Sequence, residues 1–132
     1  KWRTKVMNEV KRTGRSDSIF GRVRDLSQYE EGDQARRAIN TAIQGSASEI
    51  CLYALGRMYR YIQERHLKTR IKGTIHDSIV LSMPDSELEH LLQLKELCEK
   101  VDLEPVQNSG IPFVVDVKLG PNWGEQHILD FS

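Results

Sequence analysis

The chain has 132 residues, enough for one domain with a hydrophobic core and too few for two. Lys and Arg together number 19, as do Asp and Glu, so net charge excludes a bulk attraction to nucleic acid or to a membrane surface. The charge is unevenly distributed, because residues 1–24 contain eight basic and two acidic side chains. A local basic patch is therefore compatible with overall neutrality.

The cysteines and histidines do not have the spacing of a zinc site. Cys51 and Cys98 lie among apolar neighbours in helical patterns, which is typical of small buried hydrophobic residues in a reducing compartment. No stretch has the pattern of a signal peptide or a transmembrane helix, so we expect a protein that is neither secreted nor embedded in a membrane. The chain begins at Lys1 within a helical pattern, which favours a fragment, a processed product or one piece of a larger protein.

The first quarter of the chain is predicted to contain a helix, a ribbon and a loop. Apolar residues recur every four positions among basic ones in residues 1–12, which predicts an amphipathic helix that ends at Gly14. Short apolar runs around a central glycine predict a hairpin or bulged ribbon over residues 18–24. The polar residues 25–33 are expected to form a loop, with Asp33 as the N-cap of the next helix.

Residues 34–64 are predicted to form one long helix. Its apolar residues recur at steps of three and four, which predicts a continuous buried stripe. The stripe consists of Ile39, Ile43, Ala47, Ile50, Ala54, Met58 and Tyr61. Gly45 and Gly56 interrupt the helix, and each costs about 1 kcal/mol relative to Ala. Close approach of another backbone or of a ligand is the usual reason for such glycines.

A second pattern on this helix is polar. Arg36, Asn40 and Gln44 are four residues apart, so their side chains fan across one helix face beside Gly45 and Ser46. A solvated face is the simpler interpretation, but Lys and Glu are the usual residues of such a face. Arg, Asn and Gln are better suited to donate hydrogen bonds to a ligand, and they are side chains that contact acceptors in the minor groove of nucleic acids.

The central stretch, residues 70–83, consists of two apolar runs on either side of the polar tripeptide 76–78. Nothing between the runs is long enough for a loop, so the pattern predicts a tight β-hairpin with the carboxylate of Asp77 at its tip. Ile71 and Ile75 are expected to share a face of the first strand. A carboxylate fixed by two strands suits a metal ion, although Asp and Ser are also ordinary residues of a surface turn.

The last third of the chain is predicted to contain a helix and a strand. A turn at residues 84–86 precedes an amphipathic helix over residues 86–101. Residues 102–111 are expected to form a loop, and residues 112–119 a strand that residues 120–123 end. No internal repeat or domain linker is present.

With these elements in order, the chain resembles the C-terminal part of the family A DNA polymerases, the bacterial DNA polymerase I type. Residues 36–47 resemble the helix motif Arg-x-x-x-Asn-x-x-x-Gln-Gly-Thr/Ser-Ala, and residues 75–78 resemble the third catalytic motif, Val-His-Asp-Glu. Residues 115–123 resemble the closing strand with its Gly-x-Asn-Trp end, and residues 20–22 fit the Leu-x-Gly-Arg hairpin. The order and spacing of the four segments agree, so the resemblance covers nearly the whole chain.

The chain departs from the family pattern in two ways. Ser78 stands where the family usually has Glu. The chain also lacks the first motif, Asp-Tyr-Ser-x-Ile-Glu-Leu-Arg, which carries the other metal-binding Asp, and the fingers helix that grips the incoming nucleotide. The resemblance therefore implies that residues 1–132 are the C-terminal part of a palm, a single domain of α+β class. Its antiparallel sheet would pack against the long helix and a second amphipathic helix.

The resemblance also implies roles for individual residues. Asp77 would be the catalytic carboxylate and a metal ligand in a two-ion Mg²⁺ site that this chain encodes only in part. His76 resembles the family histidine that lies near the primer end, and a structural hairpin histidine is the alternative. Arg36, Asn40 and Gln44 would contact the minor groove at the primer–template terminus.

Two further basic residues are candidates for DNA binding. Arg37 lies one step round the helix and would reach a phosphate or a neighbouring acid, while Arg22 would contact the DNA backbone or serve surface solubility. The implied partners are primer–template DNA, deoxynucleoside triphosphates and the remainder of the polymerase, with no membrane. The implied compartment is the cytoplasm of a bacterial or phage-infected cell, or an organelle.

The implied activity is that of a DNA-directed DNA polymerase, a nucleotidyl transfer that this chain is not expected to perform alone. The alternative hypothesis is a non-catalytic nucleic-acid-binding or assembly module that keeps the palm fold and has lost the chemistry. Ser78 and the missing first motif support this alternative. The sequence that precedes Lys1 would distinguish the two hypotheses.

Overall fold

The computed structural model describes residues 1–131, which cluster into two compact units, Lys1–Ile50 and the part that begins at Cys51. The elements of the first unit are α1 (Trp2–Thr13), β1 (Arg15–Asp17), β2 (Val23–Asp25), α2 (Glu31–Asn40) and a π-helical turn (Thr41–Gly45). Helix α3 (Ser46–Glu64) follows at once. The later elements are β3 (Arg70–Ile75), β4 (Ser78–Ser82), a 3₁₀ turn (Asp85–His90), α4 (Leu91–Glu99), β5 (Lys118–Asn122) and β6 (Glu125–Ile128).

The α+β fold class is confirmed. Within residues 1–131 the strands pair as three separate two-stranded antiparallel sheets, β1–β2, β3–β4 and β5–β6. In the second unit, the β3–β4 ribbon packs against both α3 and α4, as expected for the sheet, the long helix and the second amphipathic helix. The buried residues of this core are Met58, Ile62 and Leu94, and the ribbon contributes Ile71, Ile79, Leu81 and Met83. The expectation of a single domain stays a prediction.

Helix α1 confirms the predicted N-terminal helix and its end. Val10 is buried with Leu26 and Ala38 in the core of the first unit. Gly14 ends the helix in a left-handed conformation, with φ at 67°, and its N–H donates to the Val10 carbonyl oxygen at 2.7 Å. A Cβ atom at Gly14 would lie 3.2 Å from Cβ of Ser27. Both the backbone conformation and this close approach therefore favour glycine.

The predicted N-cap at Asp33 is wrong. Helix α2 begins at Glu31, after Glu30, and has no side-chain cap. Asp33 instead lies in the first turn, where its Oδ1 accepts a hydrogen bond from Nη2 of Arg36 at 2.9 Å. Two carboxylates in the first turn interact favourably with the helix dipole, which stabilises the helix start without a cap.

The predicted buried stripe of the long helix is wrong over its first half and confirmed in part over its second. Ile43 is 54% exposed and Ala47 is also exposed. A π turn takes one more residue than an α turn, so the buried face shifts by one position where the turn occurs. The buried residues are Ala38 and Thr41 up to the turn, and Ser46, Ala54, Met58 and Ile62 beyond it.

A β-bulge determines which residues of β3 face the core. The register shifts between Ile71, which pairs with Leu81, and Gly73, which pairs with Val80. Because the extra residue reverses the alternation of side chains, Ile75 lies on the opposite face from Ile71. Ile71 packs against the core of the second unit, whereas Ile75 is 45% exposed. The expectation that these two isoleucines share a face is therefore wrong.

The helix predicted over residues 86–101 is present as the 3₁₀ turn followed by α4. The strand predicted over residues 112–119 is wrong, because β5 begins only at Lys118. Alternating side chains indicate a capacity to pair, and a strand forms only where its backbone finds a partner. The backbone N–H of Val115 instead donates to the carboxylate of Glu99 at 2.9 Å.

Gly120 and Pro121 were expected to end this strand, but both lie inside β5. They occupy the irregular register between Leu119 and Asn122, a position at which a sheet tolerates proline. A Cβ atom at Gly120 would overlap the backbone oxygen of Glu125. Only glycine therefore allows β6 to approach this closely.

The two cysteines are free thiols and partly buried. Sγ of Cys98 lies 3.3 Å from Sδ of Met58, and burial raises the pKa of the Cys98 thiol to about 11. This environment agrees with an interpretation of Cys98 as a packing residue. In the part of the chain that the structure describes, no helix has the length and apolar composition needed to cross a lipid bilayer.

Candidate active site

The tip of the β3–β4 ribbon is a two-residue turn made of His76 and Asp77. Ile75 and Ser78 form the last strand pair before it. His76 has a left-handed backbone, with φ at 55°, as such a short turn requires. Both tip residues are exposed, while the base of the ribbon is anchored in the hydrophobic core. The predicted hairpin with a carboxylate at its tip is therefore confirmed.

The carboxylate of Asp77 is available to a ligand. Within residues 1–131 it forms neither an ion pair nor a side-chain hydrogen bond. It does act on its surroundings: burial raises the pKa of the Cys51 thiol, and the negative charge of Asp77 raises that pKa further. The tip carboxylate therefore lies within electrostatic range of helix α3 and is not neutralised by a neighbouring cation.

The start of β3 is held by the carboxylate of Glu87. Its Oε1 accepts the backbone N–H of Lys68 at 2.6 Å. Its Oε2 accepts the backbone N–H of Thr69 at 2.8 Å and the Thr69 hydroxyl at 2.6 Å. Thr69 is fully buried, and its hydroxyl makes the largest contribution to lowering the pKa of Glu87. This clamp fixes the direction in which β3 runs from its start to the ribbon tip.

We expect Glu87 to make the ribbon sensitive to acid. Its folded-state pKa lies below the usual value of about 4.3, so its contribution to stability is present above that pH and is lost as pH falls through the folded-state pKa. Glu87→Gln should therefore lower thermal stability at neutral pH and flatten its pH dependence below about pH 4.3. The matched control is Glu89→Gln, an exposed neighbour on the same 3₁₀ turn. Equal effects of the two variants on melting temperature across this range would contradict the clamp.

The donor set fits a magnesium site in part. Among residues 1–131, no three His, Cys, Asp or Glu side chains lie close enough together to hold a metal ion. Asp77 nevertheless supplies the ligand type that Mg²⁺ prefers, an unpaired carboxylate, and magnesium takes few protein carboxylates beside substrate oxygens. The chain therefore fits one part of such a site and would need a second ligand from outside the described residues.

The polar face predicted on the long helix is exposed. Arg36, Asn40 and Gln44 are all accessible, and among residues 1–131 Arg36 is engaged only by the exposed carboxylate of Asp33. Four residues complete slightly more than one α turn and slightly less than one π turn. Because the step from Asn40 to Gln44 crosses the π turn, the three side chains fan less widely than on a regular α-helix.

Hydroxyl groups bond to helix carbonyls beside the π turn. Oγ1 of Thr41 donates to the carbonyl oxygen of Arg37 at 2.9 Å, and Oγ of Ser16 donates to that of Ala38 at 3.0 Å. Both carbonyl oxygens also accept the backbone N–H of Thr41, so each hydroxyl is a second donor to its carbonyl. Turns of this kind occur frequently at functional sites.

The side chain of Arg37 is already engaged within the first unit. Its guanidinium carbon lies 4.0 Å from the centre of the Tyr29 ring, a cation–π arrangement. Its Nε is buried and has no hydrogen-bond partner among the described residues. Tyr29 is held in turn by Gln34, whose Nε2 donates to the Tyr29 carbonyl oxygen at 2.7 Å. The role of Arg37 in DNA binding stays a prediction.

Arg22 lies in the loop between β1 and β2. The Ser18 hydroxyl accepts the backbone N–H of Arg22 at 3.1 Å and that of Phe20 at 3.3 Å. Gly21 supplies the positive φ, 84°, that the loop requires. The loop is therefore ordered in part by its own hydrogen bonds, while the Arg22 side chain is exposed.

The family model for DNA polymerase family A matches residues 1–125. The chain belongs to DNA polymerase family A. The DNA polymerase I of Chloroflexus aurantiacus is 31% identical over 122 residues, which cover 88% of this chain and 12% of that protein. The DNA polymerase of Bacillus phage SP01 is 31% identical over 135 residues, which cover 95% of this chain and 15% of that protein.

A solved polymerase structure supports the same conclusion for this family A chain. The POL domain of Pol1 from M. smegmatis, in complex with DNA primer-template and dNTP, is 27% identical and has a TM-score of 0.66. The match covers 74% of this chain and 18% of that chain. The chain thus spans less than a fifth of the length of these relatives.

Within this family A chain, five of the seven predicted site residues fall into two groups. His76 and Asp77 share the ribbon tip, while Arg36, Asn40 and Gln44 share an exposed helical stretch. Sequence reasoning missed the π turn, the Glu87 clamp and the stacking of Arg37 on Tyr29. The sequence signal for the turn was a pair of small hydroxyl residues, Thr41 and Ser46. A buried helix face does not usually need such residues. Nothing in the sequence indicates the other two contacts.

Proposed function

We propose that this chain is the C-terminal palm segment of a DNA-directed DNA polymerase and carries its third catalytic motif, the residues 76–78. The observation that carries the proposal is the exposed, unpaired carboxylate of Asp77 on a rigidly anchored ribbon. Membership of family A supports it, as do the names of the relatives. The complex of the M. smegmatis domain with primer-template and dNTP supports the same two partners here.

In this proposal, Asp77 is one of the carboxylates that hold the paired metal ions of nucleotidyl transfer. When bound, two Mg²⁺ ions supply activation of the primer 3′-hydroxyl and neutralise charge on the triphosphate. Asp77 contributes a negative charge whose position is set by β3 and β4. The other carboxylate comes from the remainder of the polymerase.

The exposed helical stretch is proposed to check the primer–template end. Arg36, Asn40 and Gln44 donate hydrogen bonds to the minor groove, where N3 of purines and O2 of pyrimidines are acceptors in every correct pair. Such contacts test the geometry of a pair and not its sequence. The ion pair between Arg36 and Asp33 is exposed on both sides, so DNA replaces it at little cost.

The remaining candidates have supporting parts in this proposal. His76 lies beside Asp77 at the tip and faces the primer end. Arg22 contacts the DNA backbone from the β1–β2 loop, and Arg37 contacts a phosphate with the part of its guanidinium that Tyr29 leaves free. The compartment is one in which DNA is replicated, the cytoplasm of a bacterial or phage-infected cell or an organelle.

A non-catalytic DNA-binding or assembly module is the second candidate. Ser78 favours it, because this residue stands where the family pattern has a carboxylate. The two candidates differ in one measurement, template-directed primer extension by the native protein that contains this chain. Extension that requires a divalent metal supports the polymerase, and tight DNA binding without extension supports the module.

The purified 132-residue chain is expected to show no primer extension, because it supplies a single catalytic carboxylate to a reaction that needs carboxylates bridging two ions. The measurement is incorporation of labelled nucleotide on a primed template with Mg²⁺, at enzyme concentrations far above those used for intact polymerases. An intact family A polymerase is the positive control. Template-dependent extension by the chain alone would refute the assignment of Asp77 to a shared site.

A further inference from the structure

The first unit contains a cluster of buried hydroxyl groups where the β1–β2 hairpin meets the helix. Buried polar side chains are normally hydrogen-bonded, and here each hydroxyl is bonded to backbone. The four residues are Ser16, Ser18, Thr41 and Ser46, which are 5%, 6%, 8% and 6% exposed. Thr69 is the other buried polar residue of the described chain, and it belongs to the Glu87 clamp.

Ser46 is the member of this cluster that joins the hairpin loop to the π turn. Its Oγ accepts the backbone N–H of Ile19 at 3.0 Å and donates to the carbonyl oxygen of Ala42 at 2.7 Å. Both capacities of the hydroxyl are therefore used. Removal of the oxygen would take the acceptor from the Ile19 N–H and one donor from the Ala42 carbonyl, both in a part-buried environment.

The two groups that Ser46 joins belong to the two stretches proposed to bind DNA. Ile19 lies in the five-residue loop that carries Arg22, and Ser18 closes that loop by bonding the Arg22 backbone. Ala42 lies in the π turn that carries Gln44. One buried hydroxyl therefore connects the backbone around Arg22 with the backbone around Gln44.

We propose that Ser46 is a positioning residue, which holds the Arg22 loop and the Gln44 turn in one fixed geometry so that a duplex meets both together. The inference rests on the proposed function, because it explains the relative position of two residues that are themselves proposed to contact DNA. Ser46 itself does not touch DNA. Its effect passes through the orientation of Gln44 toward the groove and of Arg22 toward the backbone.

The test uses the complete polymerase and primers whose terminal purine is either normal or 3-deaza, which lacks the N3 acceptor. The variants are Ser46→Ala, Ser46→Cys, which keeps the volume but weakens both hydrogen bonds, and Ser46→Thr, which keeps the hydroxyl. Ser48→Ala is the matched control, since Ser48 lies on the same helix and forms no side-chain hydrogen bond within residues 1–131. Rates are referred to active-site concentration, so a loss of folded enzyme does not enter.

For the unmodified enzyme, we expect a normal-to-deaza ratio of kcat/KM on the order of tenfold. The ratio should fall towards one in Ser46→Ala, take an intermediate value in Ser46→Cys, and stay near that of the parent in Ser46→Thr and Ser48→Ala. If Ser46→Ala and Ser46→Cys lower kcat/KM equally on both primers, the proposal is overturned. A merely structural role would affect the normal and the deaza primer alike. If Gln44→Ala also leaves the normal-to-deaza ratio unchanged, the proposed groove contact of Gln44 is refuted as well. If Gln44→Ala lowers the ratio to one and the Ser46 variants do not, only the coupling through Ser46 is refuted.

Discussion

Asp77→Asn in the complete polymerase is expected to abolish most turnover while affinity for primer–template stays nearly unchanged. The amide keeps the size of the side chain and loses the charge that would hold metal in the transition state, where binding energy counts toward rate. Asp77 has no partner among residues 1–131 whose loss would disturb the ribbon, so the substitution should leave the fold intact. The measurements are single-turnover primer extension and equilibrium DNA binding on the same preparation.

The matched control for this experiment is Asp85→Asn, another exposed carboxylate close to the end of the same ribbon. Asp77→Cys provides a second arm, because a thiolate accepts softer cations such as Cd²⁺ more readily than Mg²⁺. Activity that returns with the softer ion would support direct ligation. A fall in kcat of less than about tenfold for Asp77→Asn, equivalent to about 1.4 kcal/mol, would show that Asp77 is not the metal ligand.

Gln44→Ala and Asn40→Ala are expected to impair extension from a primer end more than they impair binding. Neutral amides release no counterions on binding, so they contribute little to salt-dependent, non-specific affinity. By analogy with other groove hydrogen bonds, each contact is worth roughly 1–3 kcal/mol at the terminal pairs. The measurement compares extension from normal and 3-deaza-purine termini. On the deaza primers the two variants should lose little further, since the acceptor is already missing.

Two other variants sharpen this comparison. Gln63→Ala removes an exposed glutamine from the last turn of α3 and should change neither primer. Arg36→Ala should lower affinity and make its salt dependence shallower by about one unit if Arg36 touches a phosphate. Should the Gln44 and Asn40 variants lose as much on deaza as on normal primers, the helix face is solvated or structural and makes no groove contact.

The parts of the fold that the sequence predicts are those governed by local chemistry. The ribbon at residues 70–83 follows from two β-prone runs that leave only two residues for a turn, and Gly14 ends α1 because a left-handed residue suits that position. The candidate residues at its tip and on the polar helix face follow from their residue types and spacing. Their exposure in the structure agrees with that interpretation.

The parts that failed depend on hydrogen-bond register, which side-chain periodicity does not contain. Apolar spacing runs smoothly through residues 34–64, yet the π turn shifts the buried face so that Ile43 is exposed. The bulge in β3 moves Ile75 away from the core in the same way. The strand expected over residues 112–119 needed a partner backbone, a requirement that no property of its own residues can meet.

The positive φ of His76 makes the turn at the ribbon tip more costly to form. A left-handed conformation costs an L-residue roughly 1–2 kcal/mol, and glycine adopts it freely. Glycine is thus the residue with which this turn would form at the lowest energetic cost. A glycine there would make the turn easier to form, but it would remove the imidazole that lies beside the Asp77 carboxylate. The chain carries an imidazole at this position, at a cost to the ease with which the turn forms.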